Sequence, residues 1–234
     1  MTPQEGVTPA QAGPRSRWLV AIDGGDGSGK STLAEKLLAA LTAAGAPARL
    51  LRIDDFRRPV DWSRTDRAEL DLYYDEYYDL AALERCLRAF VEGAPVLEYA
   101  VADLQRPDVT ANQRLDVGGV QVLLVEGVFV RRLPTVVAHA TVIDVQIDPP
   151  EARRRILARD LAKGRSEDDV KHRMDARYFP AQERYRAWLG PTATPDAVVD
   201  SSRAGATRLT TLREERVPSA VAQALRKITI APSR

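Results

Sequence analysis

A chain of 234 residues with 44% apolar side chains is long enough to bury a full core, and its net charge of +1 gives no bulk attraction to nucleic acid or an anionic membrane. One cysteine, Cys86, excludes an internal disulfide, and no apolar run reaches the length of a membrane span. Together these predict a cytoplasmic protein with no nucleic-acid or membrane partner, and they leave a homo-oligomer open.

Residues 1–16 are rich in Pro, Gly, Gln and Thr and lack the apolar centre of a signal peptide, so they read as a disordered tail before one domain spanning 17–230. Trp18 to Asp23 predicts a buried strand. It runs into Gly24-Gly25-Asp26-Gly27-Ser28-Gly29-Lys30-Ser31-Thr32, which contains Gly, four residues, Gly, Lys and Ser. A helical pattern from Lys30 to Ala44 follows, closed by Gly45 and Pro47. Glycines at a strand-to-helix turn let backbone N–H groups approach an anion, and the helix N-terminus adds its partial positive charge. Lys30, one of only five lysines among 34 basic residues, is placed to reach the β- and γ-phosphates, and the Ser31 hydroxyl to hold Mg²⁺. The pattern in this context predicts that the chain binds ATP or a similar nucleoside triphosphate, with residues 24–32 as the cradle.

Ala48 to Ile53 predicts a second strand, ending in Asp54-Asp55-Phe56. A polar and aromatic stretch leads to Tyr73, Tyr74, Tyr77 and Tyr78, which at that spacing either line a pocket or pack. Asp79 caps a helix whose apolar face is Leu80, Leu83, Leu87 and Phe90 or Val91; Cys86 falls on that face as core filler. Two extended pieces, Val96 to Ala102 and Val109 to Val117, predict a hairpin outside the β–α repeat. Segments 54–79 and 94–117 are thereby marked as the substrate side. Val120 to Val125 is the most apolar run, predicts a central parallel strand and ends in Glu126-Gly127.

Ala140 to Ile147 predicts a further strand, and Glu151 to Lys163 an arginine-rich helix broken by Gly164. Ser166 caps a helix reaching Trp188 or Leu189, with an interruption at Pro180. Ala197 to Val199 predicts a last short strand and Leu209 to Ile228 a C-terminal helix. Alternating strands and helices predict an α/β fold: a parallel sheet of about five strands with helices on both faces. The ligand then belongs beyond the carboxyl ends of the strands.

Two carboxylates end strands on that side. Glu126 fits the role of holding Mg²⁺ with Ser31; Asp54 is placed either to accept a proton from an acceptor hydroxyl or to share the metal. Arg153, Arg154 and Arg155 are consecutive and cannot all face one site. Arg155, Arg159 and Arg165 suit a lid over about 153–175 that closes on the triphosphate; a solvated helix face is the alternative.

The phosphate loop, Asp54-Asp55-Phe56-Arg57-Arg58-Pro59, Tyr74-Asp75 before a helix, Val125-Glu126-Gly127, and Arg159-Asp160 with Gly164-Arg165 occur in one order. Over residues 18 to 201 this series resembles the uridine kinase and phosphoribulokinase-like branch of the P-loop kinases. The resemblance implies the P-loop kinase fold, ATP with Mg²⁺, and phosphorylation of a small-molecule hydroxyl, the ribose 5′-hydroxyl in a nucleoside kinase. It implies Asp54 as general base beside catalytic Lys30, Asp75 on the sugar hydroxyls, Tyr99 and Arg106 in the acceptor pocket, Arg155, Arg159 and Arg165 in the lid, and Ser31, Glu126 and Asp54 around the metal. The chain departs from uridine kinases at Tyr99-Ala100-Val101-Ala102-Asp103-Leu104-Gln105-Arg106, which lacks their pyrimidine-reading histidine. Other readings are a kinase of the same branch for another sugar or vitamin alcohol, a nucleoside monophosphate kinase, or a nucleotide-dependent switch. Against the monophosphate kinase, Glu126-Gly127-Val128-Phe129 stands where an Asp-Arg-Tyr/His motif is expected.

Overall fold

The computed structural model describes residues 17–63, 66–106, 108–191, 193–203 and 206–229. The expected tail over 1–16 lies outside them, as do Arg64 and Thr65 of the polar stretch. Strands β1 (Trp18–Asp23), β2 (Ala48–Arg52), β3 (Val96–Ala102), β4 (Thr110–Asp116), β5 (Val122–Gly127), β6 (Ala140–Gln146), β7 (Ala197–Asp200) and β8 (Arg208–Leu212) form two sheets. The larger has the order β2-β5-β1-β6-β7-β8, with the first five strands parallel and β8 antiparallel to β7. The smaller is the β3–β4 hairpin.

Helices are α1 (Lys30–Ala43), α2 (Glu69–Asp71), α3 (Leu80–Val91), α4 (Pro134–His139), α5 (Pro149–Leu161), α6 (Glu167–Arg173), α7 (Phe179–Leu189) and α8 (Ser219–Ile228). Among the described residues none is long and apolar enough to cross a membrane.

The period-2 alternation of the central strands sorts their side chains into two cores. Leu19, Ala21, Leu123 and Val125 face one side with Leu83, Leu87 and Phe90 of α3; Val20, Ile22, Val122 and Leu124 face the other with Leu37 and Leu41 of α1 and Val221 and Leu225 of α8. β5 is buried along its whole length, which is why its sequence shows no polar alternation. At roughly 1.5–3 kcal/mol per fully buried aliphatic side chain, these faces hold the strand ends in register. Asp79 caps α3 by accepting from the Ala82 N–H at 2.9 Å, and Ser166 caps α6 by accepting from the Asp169 N–H at 3.2 Å.

Three expectations are corrected. The segment from Leu209 does not start the last helix. Arg208–Leu212 forms edge strand β8, and the helix begins at Ser219, directly after Pro218, whose ring sets the entry angle. β2 ends at Arg52, and Ile53–Phe56 is a 3₁₀ turn. The stretch after Ser166 is not interrupted at Pro180: a π-helical turn, Met174–Tyr178, carries α6 into α7, where proline sits in the first turn and its missing N–H costs nothing. A second π-helical turn, Leu72–Glu76, extends α2, and the two pack together through Tyr73 and Tyr178, ring centroids 5.3 Å apart.

Candidate active site

The loop after β1 bends over the N-terminus of α1. Gly29 has φ of 84°, in the left-handed region, and caps α1 without a side chain, so the first N–H groups of the helix are left for a ligand. The Lys30 ammonium donates to the Gly25 carbonyl at 3.3 Å and is held over the loop. Ser31 Oγ lies 3.2 Å from both oxygens of Glu126, which is next to last in β5 and 3% exposed. Burial pushes the Glu126 carboxyl up; the Lys30 charge pulls it down and the Asp54 charge pushes it up again.

A hydroxyl bisecting a buried carboxylate next to an ammonium is a hard-oxygen donor set that fits Mg²⁺. Among the described residues no group of three or more His, Cys, Asp or Glu could cage a metal. Ser31 and Glu126 therefore suit an ion completed by phosphate and water.

Asp54 stands in the 3₁₀ turn beside Glu126 because of a glycine. A Cβ on Gly127 would lie 2.1 Å from Ile53 Cγ2, so only glycine lets the Asp54 turn close on the end of β5. Arg57 steadies that turn: its Nε donates to the Asp54 carbonyl at 2.9 Å, and its NH2 lies 3.9 Å from Asp54 Oδ2.

The tyrosines divide their work. Tyr73, Tyr74 and Tyr78 are buried around Phe129, whose ring meets all three and also Tyr185. This packing holds Phe129 at φ 62°, unusual for a bulky residue. Tyr73 Oη also donates to Asp26 Oδ2 in the phosphate loop at 3.0 Å and lies 3.4 Å from Tyr78 Oη. Burial, then the charge of Asp26 on Tyr73 and of Asp54 and Asp26 on Tyr78, push both phenols well above their ordinary range, so both stay protonated. Gln182 Nε2 of α7 donates to the same Asp26 oxygen at 2.9 Å.

The structure joins Ser31 to Glu126 within the fields of Lys30 and Asp54, and ties Asp26 to Tyr73. Other candidates are engaged elsewhere. The Asp75 carboxylate is surrounded by Arg67 at 2.9 Å, Arg184 at 3.5 Å and Arg132 at 3.6 Å. Tyr99 stacks on Phe56, centroids 4.9 Å apart, and Arg106 pairs with Asp103 at 2.7 Å in the turn joining β3 to β4. Arg155 sits beside Gly29, where it donates to Glu151 and to the Ser201 carbonyl and shares a depression with Thr32, Lys36 and Arg154. Arg159 and Arg165 each donate at 2.7 Å to Asp160, a fully buried carboxylate. Burial pushes Asp160 up, and the two guanidiniums more than offset this and hold it below the usual range.

Asp160, Gln182, Tyr185 and Asp23 brace these residues, and the sequence assigned none of them a role, although Asp160 falls within the Arg159-Asp160 motif. Tyr185 Oη donates to Asp23 Oδ2 at 2.8 Å beneath the loop, and Asp23 Oδ1 accepts the Gly24 N–H at 3.0 Å. Asp160 had a local signal, following Arg159 and preceding Arg165. Gln182 and Tyr185 had none.

A parallel sheet with an anion-binding loop after β1 and a buried glutamate near the end of the neighbouring strand defines a P-loop kinase fold. The sequence model of the Phosphoribulokinase / Uridine kinase family matches residues 19–206, and the chain belongs to that family of kinases. Three solved structures share the fold. A possible uridine kinase from Bacillus stearothermophilus is 21% identical, with TM-score 0.60 over 80% of this chain and 90% of that one. D-glycerate 3-kinase from Cryptococcus neoformans is 15% identical, with TM-score 0.54 over 83% and 90%. Phosphoribulokinase from Rhodobacter spheroides is 19% identical, with TM-score 0.50 over 80% and 70%. No curated protein matches the chain in sequence.

Proposed function

We propose that this protein transfers the γ-phosphoryl group of ATP to a hydroxyl of a small molecule. The observation that carries the reading is the contact of Ser31 with buried Glu126, next to Lys30 and within the field of Asp54. The loop N–H groups and the N-terminus of α1 cradle the phosphates, and the depression by Thr32, Lys36 and Arg155 receives the nucleoside end. Ser31 and Glu126, with Asp54 close by, would hold Mg²⁺, which when bound would supply positive charge against the phosphates. Lys30 stabilises charge on the migrating group, and Arg159 and Arg165, fixed by Asp160, close the cleft against water. The acceptor oxygen bonds to the γ-phosphorus while the bond to the β–γ bridging oxygen breaks. Asp54 takes the hydroxyl proton, and ADP leaves with the electron pair.

The 5′-hydroxyl of uridine or a related nucleoside is the first acceptor to test. A second reading, another sugar or vitamin alcohol, is favoured by the stretch 99–106, which has no histidine and whose Tyr99 ring is stacked on Phe56. Asp75 reaches a sugar only by giving up an arginine. The test is ADP release with and without candidate acceptors, repeated with Asp54→Asn. The variant keeps ATP affinity and loses turnover about 10²–10⁴-fold; unchanged turnover removes Asp54 as the base. Slow hydrolysis indifferent to every acceptor points instead to a nucleotide-dependent switch.

A further inference from the structure

The backbone of the phosphate loop is held by a residue 173 positions further along the chain. Ser201 directly follows β7 and is 5% exposed, and its hydroxyl donates to the Ser28 carbonyl at 2.6 Å. Ser28 is fully buried, so water cannot stand in for that donor. The Gln146 carbonyl lies farther from the same hydroxyl, at 3.1 Å, and already accepts the Ser201 N–H at 2.9 Å. The single hydroxyl proton therefore belongs to Ser28.

Arg155 fixes the hydroxyl from its other side. Its NH1 donates to Ser201 Oγ at 3.4 Å and its NH2 to the Ser201 carbonyl, while its Nε donates to Glu151 at 2.8 Å. A hydroxyl that accepts from a guanidinium keeps its own proton for the remaining acceptor. A line of contacts from Glu151 through Arg155 and Ser201 to Ser28 thus joins the first turn of α5 to the loop.

The bond on the Ser28 carbonyl orients more than one oxygen. The Ser28–Gly29 peptide is planar and trans, so its N–H points opposite to its C=O. Holding the carbonyl on Ser201 aims the Gly29 N–H away from Ser201. Gly29 stands at φ 84°, and without a Cβ it sets little limit on rotation of that plane; the hydrogen bond supplies the constraint. An N–H aimed in advance stabilises charge without reorganising during the reaction.

We infer that Ser201 is a positioning residue for phosphoryl transfer: its hydroxyl locks the Ser28–Gly29 peptide with the Gly29 N–H presented to the triphosphate. It acts through the loop backbone and touches no reacting atom. The inference rests on the kinase reading for the reaction, whereas its effect on phosphate binding is read without turnover. Ser201 also borders the depression by Thr32, Lys36 and Arg155, so direct contact with the nucleoside is the rival role.

The experiment compares the full wild-type chain with Ser201→Ala and Ser201→Thr. Calorimetry measures affinity for ATP and for inorganic tripolyphosphate, which has no nucleoside, and urea unfolding measures stability. Ser201→Ala is expected to weaken both ligands by the same factor, about five- to tenfold, and to lower kcat for acceptor-stimulated ADP release about tenfold. Ser201→Thr keeps the hydroxyl and should stay within about twofold of wild type for both ligands. A lower unfolding midpoint with unchanged tripolyphosphate affinity shows a brace for the fold alone and overturns the assignment. So does a loss confined to ATP, which places Ser201 at the nucleoside. Ser201→Thr as weak as Ser201→Ala, at the wild-type midpoint, excludes the hydroxyl as the cause and overturns it too. If Ser201→Ala weakens both ligands but no acceptor stimulates ADP release by the wild type, the lock on the loop stands and the kinase reading falls.

Discussion

Replacing Asp23 with Asn isolates a proton linkage that the structure stores beneath the phosphate loop. Asp23 is 3% exposed and sits opposite Asp144 on β6. Burial raises its carboxyl from 3.8 to about 6, with Tyr185 opposing and Asp144 reinforcing the rise. Between those two values the native chain keeps a proton that the unfolded chain has lost. Stability contributed by the protonated carboxyl is therefore complete below pH 3.8 and lost as pH rises through about 6. Some two pK units at 1.36 kcal/mol each make this about 3 kcal/mol. Asn cannot titrate, so urea midpoints for wild type and Asp23→Asn, read at several values from pH 4 to 7, should diverge by that amount in favour of the variant as pH rises. Groups common to both proteins cancel in the difference. The variant's amide oxygen can keep the Gly24 N–H while its NH₂ turns to the Tyr185 hydroxyl, a change of partner independent of pH that leaves the slope untouched. A difference constant across the range would refute the assignment of this proton to Asp23.

Glu126→Gln should raise the Mg²⁺ concentration for half-maximal activity about 10–100-fold with ATP affinity in excess metal little changed. Because burial raises the Glu126 carboxyl, wild-type activity should fall with decreasing pH earlier than an ordinary glutamate would dictate, and a profile of kcat against pH checks this. Gly127→Ala should cost about 1–3 kcal/mol in denaturant unfolding and reduce kcat, since the Ile53 turn that carries Asp54 must move away. Asp160→Ala removes the common partner of Arg159 and Arg165, both partly exposed; it should cost about 1–3 kcal/mol and increase acceptor-independent ATP hydrolysis as the cleft loses its cover.

The parts of the site legible in the sequence are those encoded locally. A strand, a glycine-rich turn and a helix announce the phosphate loop within 15 residues of one another, and Glu126 is marked by the apolar run before it. The caps Asp79 and Ser166 read from residues three positions away. What the sequence leaves hidden is long-range: Tyr73 to Asp26 spans 47 residues, and Gln182 to Asp26 spans 156. No periodicity forecasts such contacts. Strand β8 was hidden for a different reason, since Leu-Thr-Thr-Leu before a helix continues an apolar pattern, and only its pairing with β7 decides the conformation. Asp75 shows the converse: a motif position whose observed partners, Arg67, Arg132 and Arg184, come from three separate segments.

The two π-helical turns explain how a loop built to hold anions can tolerate Asp26. Each turn contains one extra residue per turn relative to an α-helix, which swings Tyr73 and Tyr178 towards each other over the loop. Regular helices through these segments would send Tyr73 to a different bearing and leave the Asp26 carboxylate without its phenol donor. The irregularity and the acidic loop residue are thus one device. It follows that Tyr73→Phe and Asp26→Asn should each lower the unfolding midpoint, and the double variant should lose less stability than the sum of the two separate losses. Additive effects in that double-mutant cycle would show that the contact does not couple the two elements.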